Sequence, residues 1–310
     1  MIWLLGAVLG ALILFLLLTY ICYLMAFSVP NKHFDPKKDL PTGEQYAPHY
    51  EDLKGWIADA EAIAFEPVTI TARDGTRLFG RYYETDPKAP VQILFHGYRS
   101  YALRDFCGGL VLALKCGHNA LLVDQRAHGK SGGRCLSFGI NERHDCLSWI
   151  EYARTRLGDR TKIILSGLSM GASTVLMASS LPLPENVVGI IADCGYSSPE
   201  EIIREVLSHS HYPKKAAYAL VRLGGRIWGG FDIESCTATD ALTEAKVPVL
   251  FIHGDDDRFV PYEMSVKNHA ACQSEKYFLS VAGAGHGLSY TIAPKEYKEA
   301  VVGFVERVTQ

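Results

Sequence analysis

The chain has 310 residues, enough for one large domain with a short extension. Hydrophobic residues make up 48% and charged residues 21%, a balance typical of a folded protein and not of a disordered one. Lys and Arg number 31 against 34 for Asp and Glu, for a net charge of -3. Because the sequence has no basic run or stripe, we expect no nucleic-acid partner.

The first 27 residues predict a transmembrane helix. Ile2–Phe27 contains no charged residue, and about 20 apolar residues suffice to cross the hydrocarbon core of a bilayer. A cleavable signal peptide is the alternative, but no Lys or Arg precedes the run, the run is too long, and no A-x-A site follows it. We therefore predict a single-pass membrane protein with an anchor over residues 2–27.

The residues after this helix indicate its orientation and a linker. Lys32, Lys37 and Lys38 follow the span and no basic side chain precedes it, so the positive-inside rule places the rest of the chain in the cytoplasm. The eight cysteines agree with a reducing compartment, since they contain no CxxC pair and suggest neither a disulfide framework nor a zinc site. Residues 28–65, with four prolines among polar residues, predict a tether with a short helix near its end.

Strand and helix patterns alternate over residues 66–310. Asp74-Gly75 lies between two strand-like segments and predicts a hairpin. Short apolar runs typical of buried parallel strands follow, at Val91–Phe95, Ala120–Val123, Lys162–Leu165, Val188–Ala192, Val247–Ile252 and Tyr277–Val281. Helix-length stretches separate most of them, so the sequence predicts one doubly wound α/β domain with a mainly parallel sheet.

One connection in this domain is too long for a simple crossover. More than fifty residues separate Ile191 from Val247, and two stretches within them have helical patterns, so we expect a small helical cap at about 197–246. The cap brings Trp228 and Phe231 close together in sequence, with Ile227 nearby. These side chains are candidates for an apolar wall over a substrate site. The alternative is that they pack the cap onto the core.

The segment Gly167-Leu168-Ser169-Met170-Gly171 contains the pattern G-x-S-x-G directly after a predicted strand and directly before a predicted helix. Small residues allow a strained turn there, which presents the Ser169 hydroxyl above the sheet. The following helix N-terminus offers backbone N–H groups to a developing oxyanion. The pattern favours Ser169 as a nucleophile over a simple capping serine.

A serine nucleophile requires a base and an acid, which on such folds follow it in the order acid and then histidine. His286 lies in a glycine-rich loop after the last predicted strand and is the candidate base. Asp255, Asp256 and Asp257 follow the preceding strand, and the pattern of residues leaves all three open as the acid.

Four motifs together resemble the α/β-hydrolase superfamily, and in particular its membrane-anchored bacterial hydrolases similar to serine aminopeptidases. The motifs are His96-Gly97-Tyr98, the run Asp124–Ser131, the Ser169 turn, and the pair of loops at His253–Pro261 and His286. The resemblance implies an α/β-hydrolase fold with an eight-stranded sheet. It selects Asp257 as the acid, and it places the oxyanion hole at the backbone N–H groups of Tyr98 and Met170.

The expected function is therefore hydrolysis of carboxylic esters by a Ser169–His286–Asp257 triad through an acyl-enzyme, with a small-molecule acyl ester as substrate. No metal or organic cofactor is implied. A serine peptidase or amidase is one alternative, for which Lys214, Lys215, Arg222 and Arg226 of the cap are candidate carboxylate ligands. A catalytically inactive binding module is the other.

Overall fold

A computed structural model describes residues 1–30, 35 and 39–310, and its centre is a sheet of eight strands. The strands are β1 (Glu66–Thr71), β2 (Arg77–Tyr83), β3 (Val91–Phe95), β4 (Asn119–Asp124), β5 (Ile163–Leu168), β6 (Val187–Asp193), β7 (Val249–Gly254) and β8 (Lys276–Val281). Their order is β1-β2-β4-β3-β5-β6-β7-β8. The pairs β1–β2 and β2–β4 are antiparallel and all the others are parallel. The predicted eight-stranded, mainly parallel sheet is confirmed.

The helices cover both faces of this sheet. They are α1 (Ile2–Phe27), α2 (Tyr50–Glu61), α3 (Ala102–Asp105), α4 (Cys107–Lys115), α5 (Glu142–Leu157), α6 (Met170–Ala178), α7 (Pro199–Ser208), α8 (Lys214–Gly224), α9 (Ala238–Leu242), α10 (Tyr262–Ala271), α11 (Ser289–Ile292) and α12 (Pro294–Thr309). A 3₁₀ turn spans Ala47–His49 and a π-helical turn spans Gly225–Gly229. Helices α5 and α6 contribute to the core on one face, while α2, α4 and α12 contribute to the cores on the other.

The local sequence explains the predicted hairpin between β1 and β2. Gly75 has a φ of +84°, which glycine adopts without a steric penalty. The Asp74 carboxylate accepts a hydrogen bond from the Thr76 N–H at 3.0 Å and so closes the turn. All residues of β3, β4 and β7 are buried, which accounts for their mainly apolar composition.

Part of the segment predicted as a tether is folded onto the sheet domain. Helix α2 packs against α4, and Ile57 and Ala60 are buried in the same core as Leu110. The basic residues on which the predicted orientation rests, Lys32, Lys37 and Lys38, lie outside the described residues.

Helix α1 is docked against the domain by its C-terminal part. Thr19, Tyr23 and Phe27 are buried, at a spacing of four residues that places them on one face of the helix. The Phe27 ring meets those of Phe138 and Phe231 edge-on, with centroids 5.8 and 5.0 Å away. The part of α1 before Thr19 is largely exposed, and the helix as a whole is long and apolar enough to be a candidate membrane span.

The long connection predicted as a cap contains α7, α8, the π-helical turn and α9. Its aromatic residues contact α1: the Trp228 indole N–H donates to the Thr19 hydroxyl at 3.1 Å, and the Trp228 ring packs on Tyr20 at 5.0 Å. Phe231 packs on Phe27. These side chains therefore join the cap to the N-terminal helix, a partner that neither reading of the sequence anticipated.

Candidate active site

The turn between β5 and α6 has the strained geometry that the G-x-S-x-G pattern predicts. Ser169 has φ 56° and ψ −116°, a conformation that costs about 1–3 kcal/mol in a non-glycine residue. A Cβ atom on Gly171 would lie 1.8 Å from the Phe95 carbonyl oxygen, and one on Gly167 would lie 2.3 Å from the Gly171 carbonyl carbon. Both glycines are therefore required for the chain to turn this tightly.

The structure brings three of the predicted site residues together in one hydrogen-bonded row. The Nε2 atom of His286 lies 3.0 Å from the Ser169 hydroxyl oxygen, and its Nδ1 atom lies 2.7 Å from Oδ2 of Asp257. Ser169 follows β5, Asp257 follows β7 and His286 follows β8, so the carboxyl ends of parallel strands supply all three. Ser169 and Asp257 are buried and His286 is half-buried.

The structure also separates the three adjacent aspartates. Asp257 directs its Oδ1 to the N–H groups of Phe259 and Val260, both at 2.9 Å, which leaves Oδ2 for His286. Asp255 instead accepts a hydrogen bond from the Gly283 N–H at 2.6 Å. Asp256 pairs with Arg258 on the surface at 3.1 Å. Of the three, Asp257 is the one that contacts the histidine.

A second histidine supports the Asp257 carboxylate. His253 is fully buried, and its Nε2 atom lies 3.1 Å from Oδ2 of Asp257 and 3.0 Å from the Val260 carbonyl oxygen. Burial opposes ionisation of Asp257, but the charge of His286 and hydrogen bonds from both histidines outweigh it and hold the pKa of that carboxyl well below its usual range. Sequence reasoning included His253 in a motif without giving it this role.

The predicted oxyanion residues both lie beside Ser169. Met170 is the first residue of α6, where a backbone N–H has no acceptor within the helix. The loop with Tyr98 approaches from β3, since a Cβ atom on Gly97 would lie 3.4 Å from the Ser169 Cβ. The Gly97 N–H donates to the Asp105 carboxylate at 2.7 Å, a supporting contact that the sequence gave no signal for.

Residues of the Asp124–Ser131 motif, which follows β4, also contact the loop that carries Tyr98. The Nε2 atom of His128 accepts a hydrogen bond from the Arg99 N–H at 3.1 Å. His96 is fully buried, and its Nε2 atom accepts from the Gln125 N–H at 3.0 Å. Burial lowers the pKa of His96 to about 4, so this ring stays neutral and serves as a structural hydrogen-bond partner.

A cavity of about 540 Å³ opens at Ser169 and His286. Among the described residues, those that line it belong to the 39–56 segment, the loop after β3, the start of α4, the Ser169 turn, the end of β6, the loop after β7 and the region after β8, and none belongs to the cap. Residues predicted as a tether thus form one wall of the cavity.

A buried carboxyl group lines the same cavity. Asp193, at the end of β6, is 4% exposed, and its Oδ1 has no hydrogen-bond partner among the described residues. Burial raises the pKa of this carboxyl to about 6. The Asp193 carbonyl oxygen accepts a hydrogen bond from the Ser169 N–H at 2.8 Å, which fixes the strained turn from behind.

Contacts and protonation argue against two other candidate sites, one for a substrate carboxylate and one for a metal ion. Arg222 and Arg226 of the cap both pair with Asp232, so they are not free to bind a carboxylate. Cys194 lies close enough to Asp257 and His286 to form a three-ligand cluster. Burial raises the pKa of the Cys194 thiol well above its usual value, however, and a protonated thiol is a poor metal ligand.

Comparison with known proteins agrees with this geometry. The alpha/beta hydrolase family model matches residues 92–300, more than half of the chain. The uncharacterized protein YqkD of Bacillus subtilis is 25% identical over 198 residues, which cover 64% of this chain and 65% of that protein. A bifunctional esterase/perhydrolase of Acinetobacter calcoaceticus is 23% identical over 267 residues, covering 72% and 94% of the two chains.

A solved structure shows the same fold. The Pyrococcus furiosus esterase Pf2001 superposes with a TM-score of 0.64 at 20% identity, covering 89% of this chain and 100% of that one. The match to the family model, the sheet order and the turn at Ser169 agree. The chain belongs to the alpha/beta hydrolase family and is a hydrolase.

Proposed function

We propose that this protein is a membrane-anchored serine hydrolase that cleaves carboxylic esters of small molecules. The observation that carries the proposal is the position of His286, whose two ring nitrogens lie 3.0 Å from the Ser169 hydroxyl and 2.7 Å from Asp257. This arrangement is the one that general-base activation of a serine requires.

The reaction proceeds in two halves. Ser169 Oγ attacks the ester carbonyl carbon while its proton moves to Nε2 of His286, and Asp257 stabilises the imidazolium that forms. The Tyr98 and Met170 N–H groups donate to the oxyanion of the tetrahedral intermediate. The intermediate collapses, and the alcohol leaves with the proton from Nε2. Water then attacks the acyl-enzyme with His286 again as base, which releases the carboxylic acid and restores Ser169.

Two observations favour ester hydrolysis over a peptidase reaction. Of the four cap side chains considered as ligands for a peptide carboxylate, Arg222 and Arg226 are paired with Asp232, and neither Lys214 nor Lys215 is among the described residues that line the cavity. The similar proteins from Acinetobacter calcoaceticus and Pyrococcus furiosus are called esterases. A structural neighbour with a lower TM-score of 0.56, from Pyrococcus horikoshii, is called an acylaminoacyl peptidase. A small-molecule acyl ester is accordingly the substrate class that we propose.

We also propose that α1 anchors the protein in a membrane, with the catalytic domain on the cytoplasmic side. Helix α1 is long and apolar enough for a single membrane span, and the lysines that follow it favour a cytoplasmic catalytic domain by the positive-inside rule.

The test uses full-length protein in detergent with a series of p-nitrophenyl esters and a series of aminoacyl anilides. We expect ester turnover, covalent labelling by a fluorophosphonate, and loss of both in Ser169→Ala. Ser180→Ala, which changes a serine just after α6 and away from the cavity, is the matched control and keeps both. Faster turnover of anilides than esters would favour the peptidase, and a folded wild-type protein with neither activity nor labelling would favour the binding module.

A further inference from the structure

The main chain of His286 is held on both sides by two adjacent residues from the N-terminal part of the protein. The His286 N–H donates to the side-chain oxygen of Gln45 at 3.2 Å, and the His286 carbonyl oxygen accepts a hydrogen bond from the Tyr46 hydroxyl at 2.8 Å. A Cβ atom on Gly285 would lie 2.1 Å from the same Gln45 oxygen, so the glycine allows this close approach.

These bonds matter because the residues that flank His286 are glycines, which contribute no side-chain contacts to hold its main chain. Gly283 and Gly287 on either side have φ values of +71° and +66°, which glycine adopts without strain. The bond to Asp257 orients the imidazole ring but does not fix the backbone that carries it. Gln45 and Tyr46 supply that constraint, since together they use the N–H and the C=O of His286.

The loop that carries Tyr98, a proposed oxyanion residue, also contacts residues near the N-terminus. The Tyr98 hydroxyl donates to the Ala26 carbonyl oxygen at 2.9 Å. The Arg99 guanidinium donates to the Ser28 carbonyl oxygen at 2.9 Å and to that of Met25 at 2.7 Å. The last carbonyl groups of a helix have no partners within it, so these contacts fix α1 and the loop to each other.

The cap in turn holds α1 in place. A Cβ atom on Gly224 would lie 2.7 Å from the Thr19 carbonyl oxygen and 3.0 Å from the Tyr23 Cβ, so α8 and α1 touch backbone to backbone at this glycine. A larger residue at position 224 would separate the two helices.

We propose that residues 19–28 and 39–46 position the two catalytic loops, with Gln45 and Tyr46 setting the place of His286 and the docked end of α1 setting the Tyr98–Arg99 loop. This inference rests on the proposed ester hydrolysis. It implies that ester turnover depends on the docking of α1 against the rest of the protein. Gln45, Tyr46 and Arg99 are positioning residues, since they act through His286 and Tyr98.

The first arm of the test compares Gln45→Met, Tyr46→Phe and the double variant in the full-length protein. Each single variant removes one hydrogen bond with little change in volume, and the double variant removes both. We expect kcat to fall about 3- to 10-fold in each single variant and up to about 100-fold in the double. Tyr82→Phe, which alters a buried tyrosine far from the cavity, is the control and keeps kcat. Gln45→Glu retains the acceptor oxygen and restores most of the activity lost in Gln45→Met.

A separate readout distinguishes positioning from simple support of the fold. The end point of fluorophosphonate labelling counts folded active sites, and kcat is then expressed per labelled site. Positioning predicts a normal end point, a slower labelling rate and a lower kcat per site, with KM changed less than twofold. A reduced end point with an unchanged kcat per site would show that Gln45 and Tyr46 serve stability alone and would overturn the inference.

The second arm separates α1 from the cap. We expect Gly224→Leu to lower kcat per labelled site about 10-fold, whereas Gly303→Leu in α12, where a Cβ meets nothing within 4 Å, keeps it. Arg99→Gln tests the same coupling without altering the cap and is expected to act in the same direction. Active wild-type protein with unaffected variants would refute the positioning role, whereas inactive wild-type protein would refute the ester hydrolysis itself.

Discussion

Replacement of Asp257 by asparagine tests the contact between the acid and the histidine of the proposed triad. The side-chain oxygen of the new residue must stay with the N–H groups of Phe259 and Val260, both at 2.9 Å, because these two donors require an acceptor. The new NH₂ group then occupies the Oδ2 position, 2.7 Å from Nδ1 of His286. A donor at that position forces Nδ1 to accept, which places the ring proton on Nε2.

The consequence for catalysis follows from that tautomer. With a proton on Nε2, which lies 3.0 Å from the Ser169 hydroxyl, His286 cannot accept the proton that Ser169 must lose. A loss of about 10⁴-fold in kcat is the expected size for this defect, equivalent to about 5 kcal/mol in the barrier. The assay is p-nitrophenyl ester turnover near neutral pH in samples matched for their melting temperature.

The neighbouring aspartates provide the controls. Asp256→Asn removes only an exposed ion pair with Arg258, a type of contact that contributes about 0–1 kcal/mol to stability. Asp255→Asn keeps an oxygen for the Gly283 N–H. Both variants are expected to retain activity within a few-fold. A loss below about tenfold in Asp257→Asn, or an equal loss in either control, would refute the proposed role of Asp257.

Three further predictions concern stability and the Ser169 turn. Burial raises the pKa of the Asp193 carboxyl from 3.8 to about 6, so between these pH values the folded state binds a proton that the unfolded state does not. The folded state therefore loses stability as the pH rises through 6. Asp193→Asn should raise the melting temperature above about pH 6 and leave it unchanged at about pH 4. Gly171→Ala places a Cβ 1.8 Å from the Phe95 carbonyl oxygen and should abolish fluorophosphonate labelling, whereas Gly303→Ala should not. Phe27→Ala removes a fully buried ring and should lower the free energy of unfolding by about 3–5 kcal/mol in denaturant titrations, and a loss below 1 kcal/mol would show that α1 is not docked.

The sheet and the Ser169 turn were predictable because both depend on local patterns. Buried parallel strands require uninterrupted apolar runs, and the strained turn requires Gly167 and Gly171, so each leaves a direct mark on the sequence. The choice among the three aspartates is different. It depends on the path of the loop after β7, where the N–H groups of Phe259 and Val260 select the carboxylate, and spacing alone does not specify that path.

The role of the N-terminal segments was missed because it depends on contacts between residues far apart in the chain. Gln45 and Tyr46 lie among prolines and polar residues typical of a linker, and nothing local pairs them with a histidine about 240 positions later. The docking of α1 did leave a faint signal. Thr19, Tyr23 and Phe27 recur every four residues near the end of a helix that is otherwise rich in aliphatic residues, and this spacing places them on one face.

The docked face of α1 also limits how deep the helix can extend into a bilayer. The exposed part of α1 ahead of its buried residues, Ile2–Leu18, has 17 helical residues that rise about 26 Å, whereas a typical hydrocarbon core is about 30 Å thick. For the proposed span, this deficit of a few ångströms is met by local thinning of the lipid or by drawing the cap against the headgroups. A thin membrane would therefore accommodate the protein with less distortion than a thick one, and bilayer thickness becomes a variable that can shift where it resides.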